Sequence, residues 1–322
     1  MSAPSQSRPR ATSAGLEPAS AAGPLPLTGY LLAAGGAVLF STKAVIIKLA
    51  YAEGISAEAL LALRMSLSLP FYLVIGAFAV RRLQQSGAQL PSGRLVLNSA
   101  LVGLIGYWFA SYTDFLGLVY ISAQFERLIL FTYPAFVVIL GALFFGQRIR
   151  PRTLVGIAIS YAGLVLIFAT KLSELGSDVV KGAGLVLVAA VAFALYQLLA
   201  KGLIGRIGSG LFTCIAMSGA AVAALAQFAA TESMSNLVVS PKLFGYGLLI
   251  AVGATVLPSF LLNAALQRIS AQANATIGTL SPVVTILLAV AVLGERLTWI
   301  DIAGTALVIA GVGWFTLADR NR

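Results

Sequence analysis

The sequence predicts an all-α, polytopic membrane protein of ten transmembrane helices, arranged as two inverted five-helix repeats. Three observations predict it. Of 322 residues, 59% are hydrophobic and 10% charged, with mean hydropathy +0.95, where a soluble domain carries about 25% charged residues. The apolar residues come in runs of about twenty, the length of a bilayer-crossing helix, and the short alternating segments of a β-barrel do not occur. A long stretch of the chain is present twice, and its Lys and Arg residues sort to alternate loops.

The repeat is clearest from Ser122 onward. A shift of 148 positions aligns residues 122–168 with the stretch beginning at Ser270, without a gap. Ser122-Ala123-Gln124 meets Ser270-Ala271-Gln272, Pro134 meets Pro282, and Gly146-x-Arg148 meets Gly294-x-Arg296. At slightly different offsets, Gly29, Leu32, Phe40 and Lys48 meet Gly182, Leu185, Phe193 and Lys201.

Taken in order, residues 1–27 are rich in Ala, Ser, Pro and Gly and are expected to form a disordered cytoplasmic tail. They lack the order of charge and apolar segment that marks a signal peptide. Ten spans are expected at about 28–51, 57–80, 95–120, 122–145, 152–170, 182–204, 209–230, 243–267, 272–293 and 299–317. The repeats then cover 28–170 and 182–317. With the N-terminus inside, the inner segments hold Arg8, Arg10, Arg81, Arg82, Arg94, Arg148, Arg150, Arg152, Lys201, Arg206, Arg268, Arg320 and Arg322, and the outer ones Lys171, Lys181, Lys242 and Arg296. Thirteen against four predicts both termini in the cytoplasm. Five spans per repeat is an odd number, so the second repeat enters the membrane upside down. Inverted repeats of this kind are a signature of secondary transporters, with the substrate near the midplane between the halves.

These residues resemble the drug/metabolite transporter superfamily, of the EamA-type ten-helix kind, over about residues 28–317. The resemblance rests on the Pro-centred fourth and ninth spans, which end Gly-Gln-Arg-Ile (146–149) and Gly-Glu-Arg-Leu (294–297), and on the Gly-rich fifth and tenth spans. Gln147 departs from the Glu usual there. The resemblance implies an exporter or permease of small metabolites such as amino acids or related compounds, in a cell membrane, the inner membrane if the source is bacterial.

Charges inside spans cost about 2.5–3.5 kcal/mol each and by default face the bundle interior. Lys43, Arg64, Asp114, Glu126 and Arg127 lie on four spans, all about 5–12 Å to the outer side of their helix centres at the helical rise. They are expected either to pin the outer ends together as a salt-bridge network or to form a gate with a cation free for a substrate carboxylate. Lys48 is expected to snorkel at the interface. The repeat mates are uncharged: Tyr196 for Lys43, Ala216 for Arg64, Leu262 for Asp114, Asn274 for Glu126 and Ala275 for Arg127. An inner polar layer is therefore expected from Tyr196, Gln197, Asn263, Gln267, Gln272 and Asn274. Near mid-depth, Tyr107 or Trp108 is expected to line the cavity, since Trp108 lies away from the interfacial belt where Trp is enriched. Pro134 and Pro282 are candidate hinges, since each removes a backbone hydrogen bond. Gly156/Gly163 and Gly304/Gly311 are expected to let helices approach closely.

No catalytic residues are assigned, and the chain is read as not an enzyme. With no His and a single Cys, neither a metal site nor a cofactor is expected, and no phosphate-binding loop is present. The expected partners are a small-molecule substrate and the lipid bilayer, with a homodimer allowed and no nucleic acid. The competing functions are a lipid or sugar-lipid flippase of the same architecture and, behind it, an intramembrane transferase.

Overall fold

The computed structural model describes residues 27–320 apart from 148, 150, 176 and 279. The tail expected at 1–27 lies outside the described residues as far as residue 26, as do Arg148, Arg150, Arg322 and the side chain of Gln272. Ten helical units follow one another: α1 (Leu27–Ala52), α2 (Ala57–Gln85), α3 (Gly93–Tyr120), α4 (Ala123–Phe145), α5 (Pro151–Leu175), α6 (Asp178–Ile207), α7 (Ser209–Thr231), α8 (Pro241–Arg268), α9 (Ala271–Ile277 and Leu280–Leu288, running on to Leu293) and α10 (Trp299–Arg320). Eight are long and apolar enough to cross a membrane, while α5 and α10 carry the shorter apolar stretches Leu154–Thr170 and Trp299–Trp314. Phe78, Leu143, Phe144 and Leu287 are exposed large side chains on these helices, as expected where lipid replaces water.

The residues that repeat in the sequence are the ones that start and stop helices. Ser122 and Ser270 are N-caps: their hydroxyls accept from the N–H groups of Phe125 at 3.2 Å and Ala273 at 3.0 Å. Gly146 and Gly294 end α4 and α9 in the left-handed conformation, at φ 64° and 66°, which glycine adopts without a Cβ clash. Lys48 donates to the carbonyls of Leu118 and Ile121, and Lys201 to those of Leu266 and Ile269. Each lysine thereby satisfies the orphan carbonyls at the end of the third helix of its own repeat. Lys48, expected to snorkel at the interface, is thus a capping residue of the third helix.

Packing shows that the two repeats run in opposite directions. The α1–α2 turn meets the α7–α8 loop through Lys242–Glu53 (2.6 Å) and Ser56–Glu232 (2.5 Å). The α3–α4 corner meets the α9–α10 loop, where the Glu295 carboxylate accepts from the backbone N–H of Ala123 at 2.8 Å and Gln124 at 3.2 Å. Loops of odd rank in the first repeat therefore share an end with loops of even rank in the second. The principal pairs obey the same exchange: α1 packs on α8 as α3 packs on α6, while α2–α7 and α5–α10 are paired with their own counterparts.

The α5–α10 pair is built on glycine. A Cβ at Gly163 would lie 2.5 Å from the Gly304 carbonyl oxygen, and one at Gly311 would lie 2.5 Å from that of Gly156. Small residues of this kind let membrane helices approach to backbone contact. Gly163→Ala should therefore push backbone against backbone and destabilise the protein by about 1–3 kcal/mol. Thermal unfolding in detergent reads this, and a variant as stable as the parent would show that the pair does not need the close approach.

Candidate functional site

Among the described residues, three helices are interrupted near mid-depth. In α4 the first segment ends at Leu130 and the second begins at Tyr133. Pro134 has no N–H to give to the carbonyl four residues back, which is that of Leu130. In α9, Pro282 stands in the same relation to Gly278, between segments that end at Ile277 and resume at Leu280. In α1 the break falls at Thr42. Side chains bond the carbonyls that precede it: Thr42 Oγ1 donates to Leu39 (2.8 Å), Arg127 Nη2 to Phe40 (3.3 Å) and Thr285 Oγ1 to Ser41 (2.8 Å). Its counterpart α6 is unbroken.

The five span charges are all buried, at 0–3% exposure. Lys43 Nζ is 2.5 Å from Asp114 Oδ2. Arg64 donates through Nη2 to the Tyr107 carbonyl at 3.3 Å. Arg127 Nε is 3.7 Å from Glu126 Oε2. Three cations face two acids, and aromatic faces take up the difference. Lys43 and Arg127 stand over the Phe40 ring at 4.6 and 5.5 Å, and Lys43 and Arg64 over that of Phe115 at 6.0 and 5.0 Å. Desolvated cation–π contacts of this kind contribute about 2 kcal/mol.

Beside the cluster lies a cavity of about 30 Å³ whose walls come from both repeats. Arg127 is the one member of the cluster that reaches it. The other polar wall groups are Gln197, Asn274, Tyr133 and Ser281, and the apolar wall is chiefly Phe40 and Phe193. Phe40 and Phe193 are equivalent positions of the two repeats, and their rings stack at 6.2 Å and 11°. Asn274 Nδ2 donates to Gln197 Oε1 at 3.4 Å, while Asn274 Oδ1 is buried without a partner among the described residues.

The remaining expected site residues stand elsewhere. Tyr107, Tyr196 and Asn263 form a closed polar knot with Thr213 that ties α3, α6, α7 and α8. The two phenol oxygens are 2.9 Å apart, Tyr196 donates to Asn263 Oδ1 at 2.6 Å, and Asn263 Nδ2 donates to Tyr107 and Thr213 at 3.1 and 2.9 Å. Trp108 is half-buried against α7, its Nε1 donating to Gln227 at 2.7 Å. Neither Tyr107 nor Trp108 lines the cavity, which corrects that expectation: one spends its hydroxyl in the knot and the other faces away. Gln267 is exposed and accepts from Ser209 at the helix ends. Sequence reasoning misses Phe193, Ser281 and Thr285 as site residues; the repeat match of Phe193 with Phe40 is the signal for the first, and none marks the other two. A second, polar depression of about 660 Å³ lies at the α1–α2 and α7–α8 end, lined in part by Glu53, Ser56, Glu232 and Asn236.

Comparison with known proteins agrees with this architecture. A transporter of Bacillus subtilis (strain 168), named as the uncharacterized transporter YcbK, is 30% identical over 304 residues, which is 89% of this chain and 93% of that protein. An uncharacterized transporter of Archaeoglobus fulgidus is 30% identical over 197 residues, 61% of this chain and 69% of that protein. One solved crystal structure shares the fold at TM-score 0.65 and 18% identity, covering 91% of this chain and 98% of that one. The EamA-like transporter family matches twice, over residues 27–169 and 180–317, one match for each repeat, and the chain belongs to that family.

Proposed function

We propose that this protein is a secondary transporter, not an enzyme, and that it moves a small metabolite carrying a carboxylate, such as an amino acid, by alternating access around the cavity between its repeats. The observation that carries this reading is the composition of the cavity wall. One guanidinium, Arg127, meets two amides, a phenol and two facing phenyl rings. That is a place for an anionic group at one end and an apolar or aromatic group at the other, the usual mix of a few placed polar groups in an apolar site. At about 30 Å³ the cavity has room for about two waters, so the walls must part to admit a solute. The breaks before Pro134 and Pro282, equivalent in the two repeats, are where α4 and α9 would bend. The sealed charge cluster would hold the outer end closed. Resemblance to the family implies export. Counterflow of radiolabelled L-amino acids in proteoliposomes tests the reading: exchange above protein-free vesicles is expected, whereas scrambling of a labelled lipid without it would favour a flippase.

Both termini are proposed to be cytoplasmic, from the bias of Lys and Arg. In a Cys214→Ser background, a cysteine placed at Gly87, in the α2–α3 loop, should react with an impermeant thiol reagent only after the membrane is opened. Labelling in intact cells would reverse the orientation.

A further inference from the structure

Beyond its place in the charge cluster that closes the outer end, the mechanism above gives Glu126 no task of its own. It is completely buried, and neither of its carboxylate oxygens has a donor among the described residues; Asp114 Oδ1 lacks one as well. The two carboxyl groups stand within hydrogen-bonding reach of each other. Two acceptor-only groups in contact need a hydrogen between them, and like charges at that distance do not both ionise. The neighbours sharpen the point. Lys43 is committed to Asp114 Oδ2, Arg64 to the Tyr107 carbonyl, and Tyr51 to the Phe115 carbonyl at 2.8 Å. From α9, Thr285 donates its hydroxyl to the Ser41 carbonyl, and from α6 the aliphatic Val186, Ala189 and Ala190 share an apolar cluster with Phe125, Leu128 and Ile129 on the helix that carries Glu126. Among the described residues, the one donor in reach of Glu126 that is not already used is Arg127 Nε, 3.7 Å away.

Resting on the transport reading, we propose that Asp114 and Glu126 form a single proton-binding site, and that its proton travels together with the substrate. Protonated, the pair needs no further cation, and Arg127 is left to present its guanidinium to the cavity. When the proton leaves for the aqueous phase, with no other atom exchanged, Glu126 becomes a full carboxylate. It then draws Arg127 from the Phe40 carbonyl and competes with a substrate carboxylate for it. Proton occupancy and carboxylate binding therefore rise together, which is co-transport. An inward proton gradient would then drive uptake, opposite to the export that family resemblance implies.

The test has two arms. In infrared difference spectra of the full-length protein in lipid, the carbonyl stretch of a protonated carboxylic acid should be present in the wild type. It should disappear as pH is raised, be missing in Glu126→Gln, and shift in Glu126→Asp, which keeps the acid. Absence of the band in the wild type, or its persistence unchanged in Glu126→Gln, would overturn the proposal. In proteoliposomes holding a trapped pH dye, adding a pool of L-amino acids outside should acidify the lumen as label enters. Glu126→Gln should exchange label without acidification. Alkalinisation of the lumen, or equal acidification in Glu126→Gln, would refute co-transport. A band in the wild type with no amino-acid flux would support the proton site and sink the substrate reading instead.

Discussion

Lys43→Met should be among the most damaging single substitutions in the chain. It leaves Asp114 as an ion at 1% exposure with its nearest cation removed. Breaking a buried pair from one side costs about 3–5 kcal/mol, because the surviving charge has lost its counter-ion and has no water to replace it. The same principle makes a second, opposite statement. Replacing both partners, Lys43→Met with Asp114→Leu, should recover much of the loss, because matched apolar side chains pack where the ions stood. Chemical unfolding in detergent of the two single variants and the double variant closes the cycle. A double variant as unstable as the sum of the singles would mean that the pair is not the unit, and that each group is held mainly by its other contacts, Phe40 and Phe115 for Lys43 and Glu126 for Asp114.

Arg127→Gln should raise the half-saturating substrate concentration about thirtyfold or more, the equivalent of about 2 kcal/mol for a buried charged contact. Arg127→Lys should lose less, keeping the charge but not the planar fork that can hold both a carboxylate and the Phe40 carbonyl. Counterflow against a concentration series separates this from a folding defect, since a defect lowers the maximal rate without moving half-saturation. Unaltered half-saturation in both variants would remove Arg127 from the substrate path.

The fold class was legible because membrane solvation is unforgiving. Twenty apolar residues in a row suit little besides a bilayer, and an odd span count per repeat forces inversion. The burial of the five charges was legible for the same reason: exposing Arg64 or Glu126 to lipid costs too much. Which acid meets which cation was not legible. Lys43 and Asp114 are 71 positions apart, and only the packing of α1 against α3 brings them together. Depth along a helix says nothing of azimuth, so Trp108, correctly placed mid-span, points at α7. The Ser-Ala-Gln and Gly-x-Arg identities marked the duplication, but their physical content, an N-cap and a left-handed C-cap, emerged only with the backbone.

The break in α1 at Thr42, unmatched in α6, and the charges gathered around it mark one repeat and not the other. A chain made of two identical halves in opposite orientation would have two end conformations related by symmetry and hence of equal energy. It would rest half the time in each. Here that degeneracy is lifted, because the mates of Lys43, Asp114, Glu126 and Arg127 are Tyr196, Leu262, Asn274 and Ala275. Each 1.4 kcal/mol by which ion pairs and cation–π contacts favour one closure skews the resting population about tenfold. Under the proposed alternating access, much of the duplicated scaffold would be shared between the two conformations, and the idle orientation would be decided by a handful of side chains. That bias should weaken wherever those side chains are neutralised.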